Sequence, residues 1–181
     1  MALTHRLAVP ADVPALTGLM EAAIGELLRG FLDPAQVAAS RAIMGLDTQL
    51  IADGTYFVVE DGGRIAGCGG WSRRATLYGG DHSPGRDAVL LDPAVDAARV
   101  RAMYTHPDFA RRGVGRLVLS LCEAAARAEG FHRVELAATL AGEPLYAACG
   151  YAAVERFSDD RGGVAVPLVR MAKAISPPRA A

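Results

Sequence analysis

The stretch PDFARRGVGRLVLSLC, residues 107–122, decides the fold because a glycine-rich turn meets the start of a helix there. From Val114 onward apolar residues recur at helical spacing, with charged and polar residues on the other side, which predicts an amphipathic helix. Alternation over residues 98–106 predicts a strand that leads into the turn. Gly113 and Gly115 fit a plain tight connection, but a helix N-terminus with unpaired N–H groups also attracts an anion.

The segments on both sides of this turn predict an α/β domain around a mixed sheet. Asp12 is placed to cap the first helix, and Gly130 suits the end of the helix that starts at Val114. Residues 75–96 lack periodicity and predict a long loop, which inside a compact domain is functional or disordered. The predicted elements are, in chain order, a strand at 4–9, helices at 10–32 and 34–46, a hairpin at 55–74, a strand at 98–106, the helix from 114, a strand at 132–139, a short helix at 143–150, and strands at 151–157 and 163–173.

Length and composition bound the class of protein. The 181 residues, 51% of them hydrophobic, predict a single domain over residues 1–175 and a disordered tail at 176–181. A net charge of −1 argues against a protein that coats nucleic acid, and the lack of a long apolar run argues against a membrane span or signal peptide. The three cysteines, at positions 68, 122 and 149, have no CxxC spacing, which favours a reduced, cytoplasmic protein without a structural metal.

Residues 106–151, which contain the glycine turn, the amphipathic helix and the strand after it, resemble the GNAT superfamily of GCN5-related N-acyltransferases. The family's pyrophosphate loop, Gln/Arg-x-x-Gly-x-Gly/Ala, falls on residues 110–115. Arg111, Arg112, Gly113 and Gly115 are in place, whereas Ala110 stands where the family prefers glutamine or arginine. The resemblance implies the GNAT fold, with a mixed, mostly antiparallel central sheet flanked by helices.

The resemblance also implies acetyl-CoA, or another acyl-CoA, as cosubstrate, with no metal. Met103, Tyr104 and Thr105 would supply backbone partners to the pantetheine arm and the acetyl carbonyl. Thr139 occupies the family's asparagine position, and Tyr146 matches the tyrosine that donates a proton to the CoA sulfur, although it also fits a core aromatic residue. The expected pyrophosphate contacts come from Ala110, Arg111, Arg112, Gly113, Val114, Gly115 and Arg116.

The general base stays open at this point. Many relatives carry a glutamate on the strand before the glycine turn, but Arg99 and Arg101 occupy that strand here. Glu21, His82, His106 or an ordered water are the candidates, and each of these residue types is more often simply solvated. Cys149, three residues after Tyr146, has no recognisable His or Asp partner and is interpreted as a packing residue.

The long loop suggests a place for the acceptor. A mixed polar and aromatic set precedes or occupies it, so residues 73–96 are expected to form one wall of the acceptor site, with an arginine reading an anionic group. The alternative is that the two arginines form a solvated strand end. The residues in question are Arg73, Arg74, Tyr78 and His82.

The sequence thus predicts a cytoplasmic, acetyl-CoA-dependent N-acetyltransferase that acts on a small amine by direct transfer. The rival from another class is a non-catalytic acyl-CoA-binding regulatory module, and within enzymes a peptide or protein N-terminus is an alternative acceptor. Many relatives are dimers, so analogy also suggests a homodimer. No nucleic-acid or membrane partner is expected.

Overall fold

Seven strands form one sheet through the centre of the protein. In this computed structural model, which describes residues 2–175, the strands are β1 (Thr4–Leu7), β2 (Tyr56–Asp61), β3 (Arg64–Ser72), β4 (Ala98–Thr105), β5 (Arg133–Thr139), β6 (Ala152–Asp159) and β7 (Val166–Ala174). The helices are α1 (Val13–Leu27), α2 (Pro34–Ser40), α3 (Thr48–Ala52), α4 (Val114–Ala128) and α5 (Glu143–Ala148). The predicted tail at 176–181 lies outside the described residues.

The topology combines a meander with a single parallel step. The strand order is β1-β2-β3-β4-β5-β7-β6, and all neighbours are antiparallel except β4 and β5. Parallel neighbours need a crossover connection, and α4 supplies it between β4 and β5. The predicted α/β class, with a mostly antiparallel sheet flanked by helices, is confirmed.

Helices cover both faces of the sheet and create two core clusters. In the first, α4 packs on one face, where Val118 and Cys122 join Leu136 of β5. In the second, α1 covers the opposite face through residues that include Leu16 and Ile24. The helical spacing of apolar residues in α1 and α4 therefore serves to bury two faces of one sheet, which is the stable arrangement for such elements.

Glycine residues in β3 let α4 approach the sheet closely. A Cβ atom at Gly69 would lie 2.6 Å from Cγ of Met103 and 2.6 Å from Cγ1 of Val118. We expect Gly69→Ala to lower the free energy of unfolding by about 1–3 kcal/mol, the usual range for overpacking a core. Urea denaturation measures the change. The control is Gly18→Ala on the exposed side of α1, where no atom lies within 4 Å and a gain of up to about 1 kcal/mol is expected. Equal stability of Gly69→Ala and the wild type would contradict the close approach.

The structure differs from the sequence predictions in the N-terminal half. The helix predicted over residues 34–46 ends at Ser40, and a further short helix, α3, follows it. Asp12 does not cap α1 with its side chain. Its carboxylate instead accepts a hydrogen bond from the Val9 N–H and pairs with Arg6 at 2.7 Å. The Asp12 carboxylate therefore binds the nearby Arg6 guanidinium group and not the N–H groups at the start of α1.

The predicted long loop between β3 and β4 has little regular structure, but hydrogen bonds hold it. The N–H groups of Ala75 and Thr76 donate to the carbonyls of Val89 and Asp87, and the Thr76 hydroxyl also donates to Asp87. Over residues 2–175, no helix has both the length and the apolar character needed to cross a bilayer.

Candidate functional site

A cleft opens in the sheet where β4 and β5 separate. The two strands pair only at Ala98 with Val134 and at Arg99 with Glu135, and beyond these pairs the described residues show no further β4–β5 pairing. The C-terminal half of β4 therefore presents one backbone edge to a cavity instead of a strand. This large cavity has a volume of about 630 Å³ and extends from β4 to the first turn of α4, to α5 and to the C-terminal part of α1.

A bulge in β4 changes which side chains face the core. Ala102 has φ of 49°, and two β4 residues, Ala102 and Met103, stand opposite the single β3 residue Gly69. The Tyr56 hydroxyl donates to the Ala102 carbonyl at 2.7 Å and holds the bulge in place. The break in the predicted alternation comes after Arg101, which stays on the side opposite Val100 and is only 5% exposed because segments at Asp47 and Gly79 cover that side.

The glycine turn forms one end of the large cavity. Gly113, with φ of 86°, occupies the left-handed region at the start of α4, and Arg111 has φ of 64°. A Cβ on Gly115 would lie 2.7 Å from the Leu145 side chain, so glycine lets α5 come close. The turn residues that line the cavity are Ala110, Arg111, Gly113, Val114, Gly115 and Arg116. The turn thus offers the free N–H groups of a long helix, with two arginines beside them.

Arg112 does not line the cavity, unlike its neighbours in the turn. Its guanidinium pairs with the buried Asp61 at 2.5 Å, at the β2–β3 turn, and lies 5.2 Å from the Phe109 ring centroid. The expected contact of Arg112 with a pyrophosphate stays a prediction, and in this structure its side chain points to Asp61. The buried carboxylate holds this guanidinium, and the pair braces the turn against the β2–β3 hairpin.

Tyr146 lies on α5 and lines the large cavity. Its hydroxyl is 3.7 Å from Sδ of Met103, and its ring contacts that of Tyr151 with 5.9 Å between centroids. Burial raises the pKa of the Tyr146 phenol, so the hydroxyl keeps its proton at neutral pH. Thr139 lines the same cavity, and its hydroxyl accepts a hydrogen bond from the Gly142 N–H at 3.2 Å, next to the start of α5.

A second, smaller cavity of about 120 Å³ adjoins the first. It lies among β4, β5, the segment 43–45 and the loop residues 77–79. Both cavities are lined by Met44, Met103, Tyr104, Thr139, Gly142 and Tyr146. The phenol of Tyr146 therefore stands where the two cavities meet, which is the geometry needed by a group that acts between two bound molecules.

The long loop contributes Tyr78 to the smaller cavity. The Tyr78 hydroxyl donates to Asp159 at 2.8 Å, and Asp159 also pairs with Arg161. The hydrogen bond from Arg161 lowers the pKa of Asp159 to about 2. This network ties the loop to the end of β6.

The other three residues predicted for the acceptor wall line neither cavity. Arg73 pairs with Glu129 at 2.7 Å, and Arg74 pairs with Asp53 at 2.8 Å. Nε2 of His82 donates to the Arg41 carbonyl at 2.7 Å. Both guanidinium groups thus pair with carboxylates of this chain outside the two cavities, and the expectation that Arg73 or Arg74 reads an anionic acceptor stays a prediction.

None of the side chains considered as general base lines either cavity. Glu21 pairs with Arg41 at 3.0 Å on the surface, and Nδ1 of His106 accepts a hydrogen bond from the Asp108 N–H. An ordered water is the remaining candidate. Cys149 is partly buried and packs against the first core cluster, in line with its interpretation as a packing residue.

The Asp159 network leads to a prediction on pH and stability. A carboxyl whose pKa in the folded protein lies below its ordinary value of 3.8 stabilises the fold above that value, and this contribution is lost as the pH falls towards about 2. We expect Asp159→Asn to be about 1–2 kcal/mol less stable than the wild type at pH 6. The difference in the free energy of unfolding between this variant and the wild type, measured with urea, should be smaller at pH 2.5. The control is Asp160→Asn at the exposed neighbouring position. Its free energy of unfolding should equal that of the wild type at both pH values. A gap that is independent of pH would contradict the assignment.

Within residues 2–175, no three His, Cys, Asp or Glu side chains group in a way that could hold a metal ion.

Comparison with known proteins identifies the family. The model of the acetyltransferase (GNAT) family matches residues 22–151, more than half of the chain. A GCN5-related N-acetyltransferase from Rhodopseudomonas palustris is similar in structure, with a TM-score of 0.70, 20% identity, and coverage of 96% of this chain and 98% of that one. No curated protein matches the sequence at a significant level.

Two further similar structures contain a cofactor. The Salmonella typhimurium protein YncA, solved with acetyl-CoA, has a TM-score of 0.63 at 20% identity and covers 99% of this chain and 98% of its own. The PaiA N-acetyltransferase from Thermoplasma acidophilum, solved with coenzyme A, has a TM-score of 0.65 at 10% identity, covering 96% of this chain and 99% of its own. The fold that the sequence resemblance implied is confirmed, and the chain belongs to the GNAT family of acetyltransferases.

Proposed function

We propose that this protein is an acetyl-CoA-dependent N-acetyltransferase that acts on a small amine by direct transfer. The observation that carries the proposal is the continuous cavity from the glycine turn at the start of α4 to the phenol of Tyr146. Family membership and relatives solved with acetyl-CoA or CoA support acetyl transfer from this thioester.

The cofactor would lie along the large cavity. Its pyrophosphate would bind at the N-terminus of α4, where N–H groups, the helix dipole, Arg111 and Arg116 all favour an anion. The pantetheine arm would follow the edge of β4 at Met103–Thr105, which faces the cavity because β5 has separated from it. The thioester would then reach the point where Tyr146 joins both cavities.

Tyr146 would act as the general acid of the transfer. The amine nitrogen attacks the thioester carbonyl carbon, the C–S bond of the tetrahedral intermediate breaks, and the leaving thiolate takes the proton of the Tyr146 hydroxyl. Because burial raises the pKa of this phenol, the proton is present at neutral pH. The proton lost by the amine would pass to water and restore the tyrosine.

The test is a turnover assay with purified protein, acetyl-CoA and a panel of small amines. Release of the free CoA thiol should depend on the amine, and mass spectrometry should find the acetylated amine. Tight acetyl-CoA binding without turnover on any amine, peptide N-termini included, would contradict catalysis.

One observation favours a second candidate, a non-catalytic acyl-CoA-binding module. Among the described residues that line the two cavities there is no carboxylate and no imidazole to remove a proton from the amine. In such a module acetyl-CoA would raise the melting temperature, because it binds the folded state alone. The amine would add nothing to this shift, and no acetylated product would form.

A further inference from the structure

We infer that the acceptor carries a carboxylate, which binds in the smaller cavity beside Arg101. The inference rests on the proposed function and names the class of acceptor, a small amino acid or related amino carboxylate. Among the described residues that line this cavity, Arg101 has the one charged side chain. It lies next to the bulge at Ala102, on the face of the sheet that Asp47 and Gly79 cover.

The Arg101 side chain is buried and held in place. It is 2% exposed, its Nη1 pairs with Asp47 at 2.5 Å, and its Nη2 donates to the Gly79 carbonyl at 2.6 Å. Its Nε is buried and has no hydrogen-bond partner among the described residues. A buried N–H without a partner is costly, so a ligand atom that accepts a hydrogen bond from it is favoured.

The guanidinium group of Arg101 shares its one buried counter-charge. Asp47 is fully buried and is shared by two guanidinium groups, because Arg86 also pairs with it at 2.5 Å. The second partner of Arg86, Asp81, is 40% exposed and therefore well screened by solvent. Burial lowers the pKa of Arg101, the Asp47 carboxylate opposes this, and the charge of Arg86 adds to the lowering. A bound carboxylate would give the buried Arg101 guanidinium group a counter-charge that Arg86 does not share.

The rest of the cavity fits one small anionic group. The Tyr104 hydroxyl accepts a hydrogen bond from the Gly45 N–H at 2.8 Å, so its own proton is available to a second partner. Leu77, Leu136 and Leu168 supply apolar walls, and Tyr78 and Thr139 supply polar ones. A volume of about 120 Å³ admits a carboxylate with a short stem. Tyr146 lines the same cavity, so an amine a few bonds away from the carboxylate would reach the thioester.

The experiment compares matched acceptors with and without the carboxylate. Methionine, leucine and phenylalanine are each supplied as the free acid and as the carboxamide. We expect the wild type to acetylate the acids with a kcat/KM at least about 10-fold higher than that of the amides, the scale of one charge-assisted pair. Calorimetry on the CoA-loaded protein should show the same order of affinities.

Variants of two arginines on the same strand separate recognition from folding. Arg101→Gln should reduce the ratio of acid to amide to about 1 while the amide rate persists, and Arg101→Lys should keep part of the preference. The matched control is Arg99→Gln, because Arg99 is also ion-paired, with Glu135 at 2.6 Å, but lines neither cavity. Its ratio should equal that of the wild type. If Arg101→Gln does not fold, the test rests on the ratio of acid to amide kcat/KM in the wild type and in Arg101→Lys.

The outcomes keep this inference apart from the proposed function. If the wild type acetylates the amides with the same kcat/KM as the acids, the carboxylate site is overturned and the proposed acetyl transfer stands. An Arg101→Gln protein with an unchanged preference would also overturn it. Preferential binding of the acids to the CoA-loaded protein without any acetylation would support the site and overturn the proposed function instead.

Discussion

Replacing Tyr146 with phenylalanine should lower kcat by about 10²- to 10⁴-fold, the usual contribution of a general acid. The thiolate would then leave without a proton donor at the junction of the two cavities. The affinity for acetyl-CoA should change by less than about threefold, because the hydroxyl has only a long contact, 3.7 Å, with the Met103 sulfur. Stopped-flow measurement of thiol release and calorimetry with acetyl-CoA give the two quantities.

A matched control uses the tyrosine beside it. The ring of Tyr151 contacts that of Tyr146, but Tyr151 lines neither cavity, so Tyr151→Phe should keep kcat within about twofold. Full turnover of Tyr146→Phe on the best acceptor would show that water, and not Tyr146, gives the proton to the leaving thiolate.

The raised pKa of Tyr146 has a consequence for the pH profile. A general acid fails as the pH rises through its pKa, and burial moves the pKa of this phenol above the ordinary value of 10. The wild-type kcat should therefore show no alkaline decline up to about pH 10. A decline centred near pH 8 would point to another acid.

Local sequence patterns predicted most of the fold. Helix α4 begins at Val114 after Gly113, as the amphipathic pattern and the glycine turn indicated, because apolar spacing and glycine conformation act over a few residues. Strand β4 also lies where the alternation placed it. These features need no knowledge of distant neighbours, and the sequence alone therefore indicates them.

The parts of the site that the sequence missed depend on pairing between distant segments. The bulge at Ala102 arises from the register of β4 against β3, and Arg101 beside it is buried by segments at Asp47 and Gly79 that are distant in the sequence. Long arginine side chains reach carboxylates far along the chain, as Arg112 does with Asp61. A run of basic residues therefore indicates charge near the cleft, but not which guanidinium group remains free for a ligand.

Replacing Gly113 with aspartate should weaken CoA binding about 100-fold, or ~3 kcal/mol. Gly113 lies at the start of α4 and lines the large cavity, so the new carboxylate would stand where the pyrophosphate is proposed to bind. The change should not unfold the protein. No atom lies within 4 Å of a Cβ at this position, aspartate tolerates the left-handed region better than most residues, and it favours a helix N-terminus. Calorimetry with CoA measures the loss, and thermal unfolding without ligand should show a melting temperature lower by only a few degrees, because a side chain at this φ costs about 1–2 kcal/mol.

The matched control is Gly113→Asn, which has nearly the same shape and the same tolerance of φ near 86° but no charge. It should bind CoA at least about 10-fold more tightly than Gly113→Asp, because only the aspartate repels the diphosphate. A second comparison uses S-acetylpantetheine, which lacks the pyrophosphate and should bind both variants equally. Equal CoA affinities for the aspartate and asparagine variants would contradict a pyrophosphate site at this turn. A difference that also appears with S-acetylpantetheine would mean that the charge distorts the β4 edge and does not act on the phosphates.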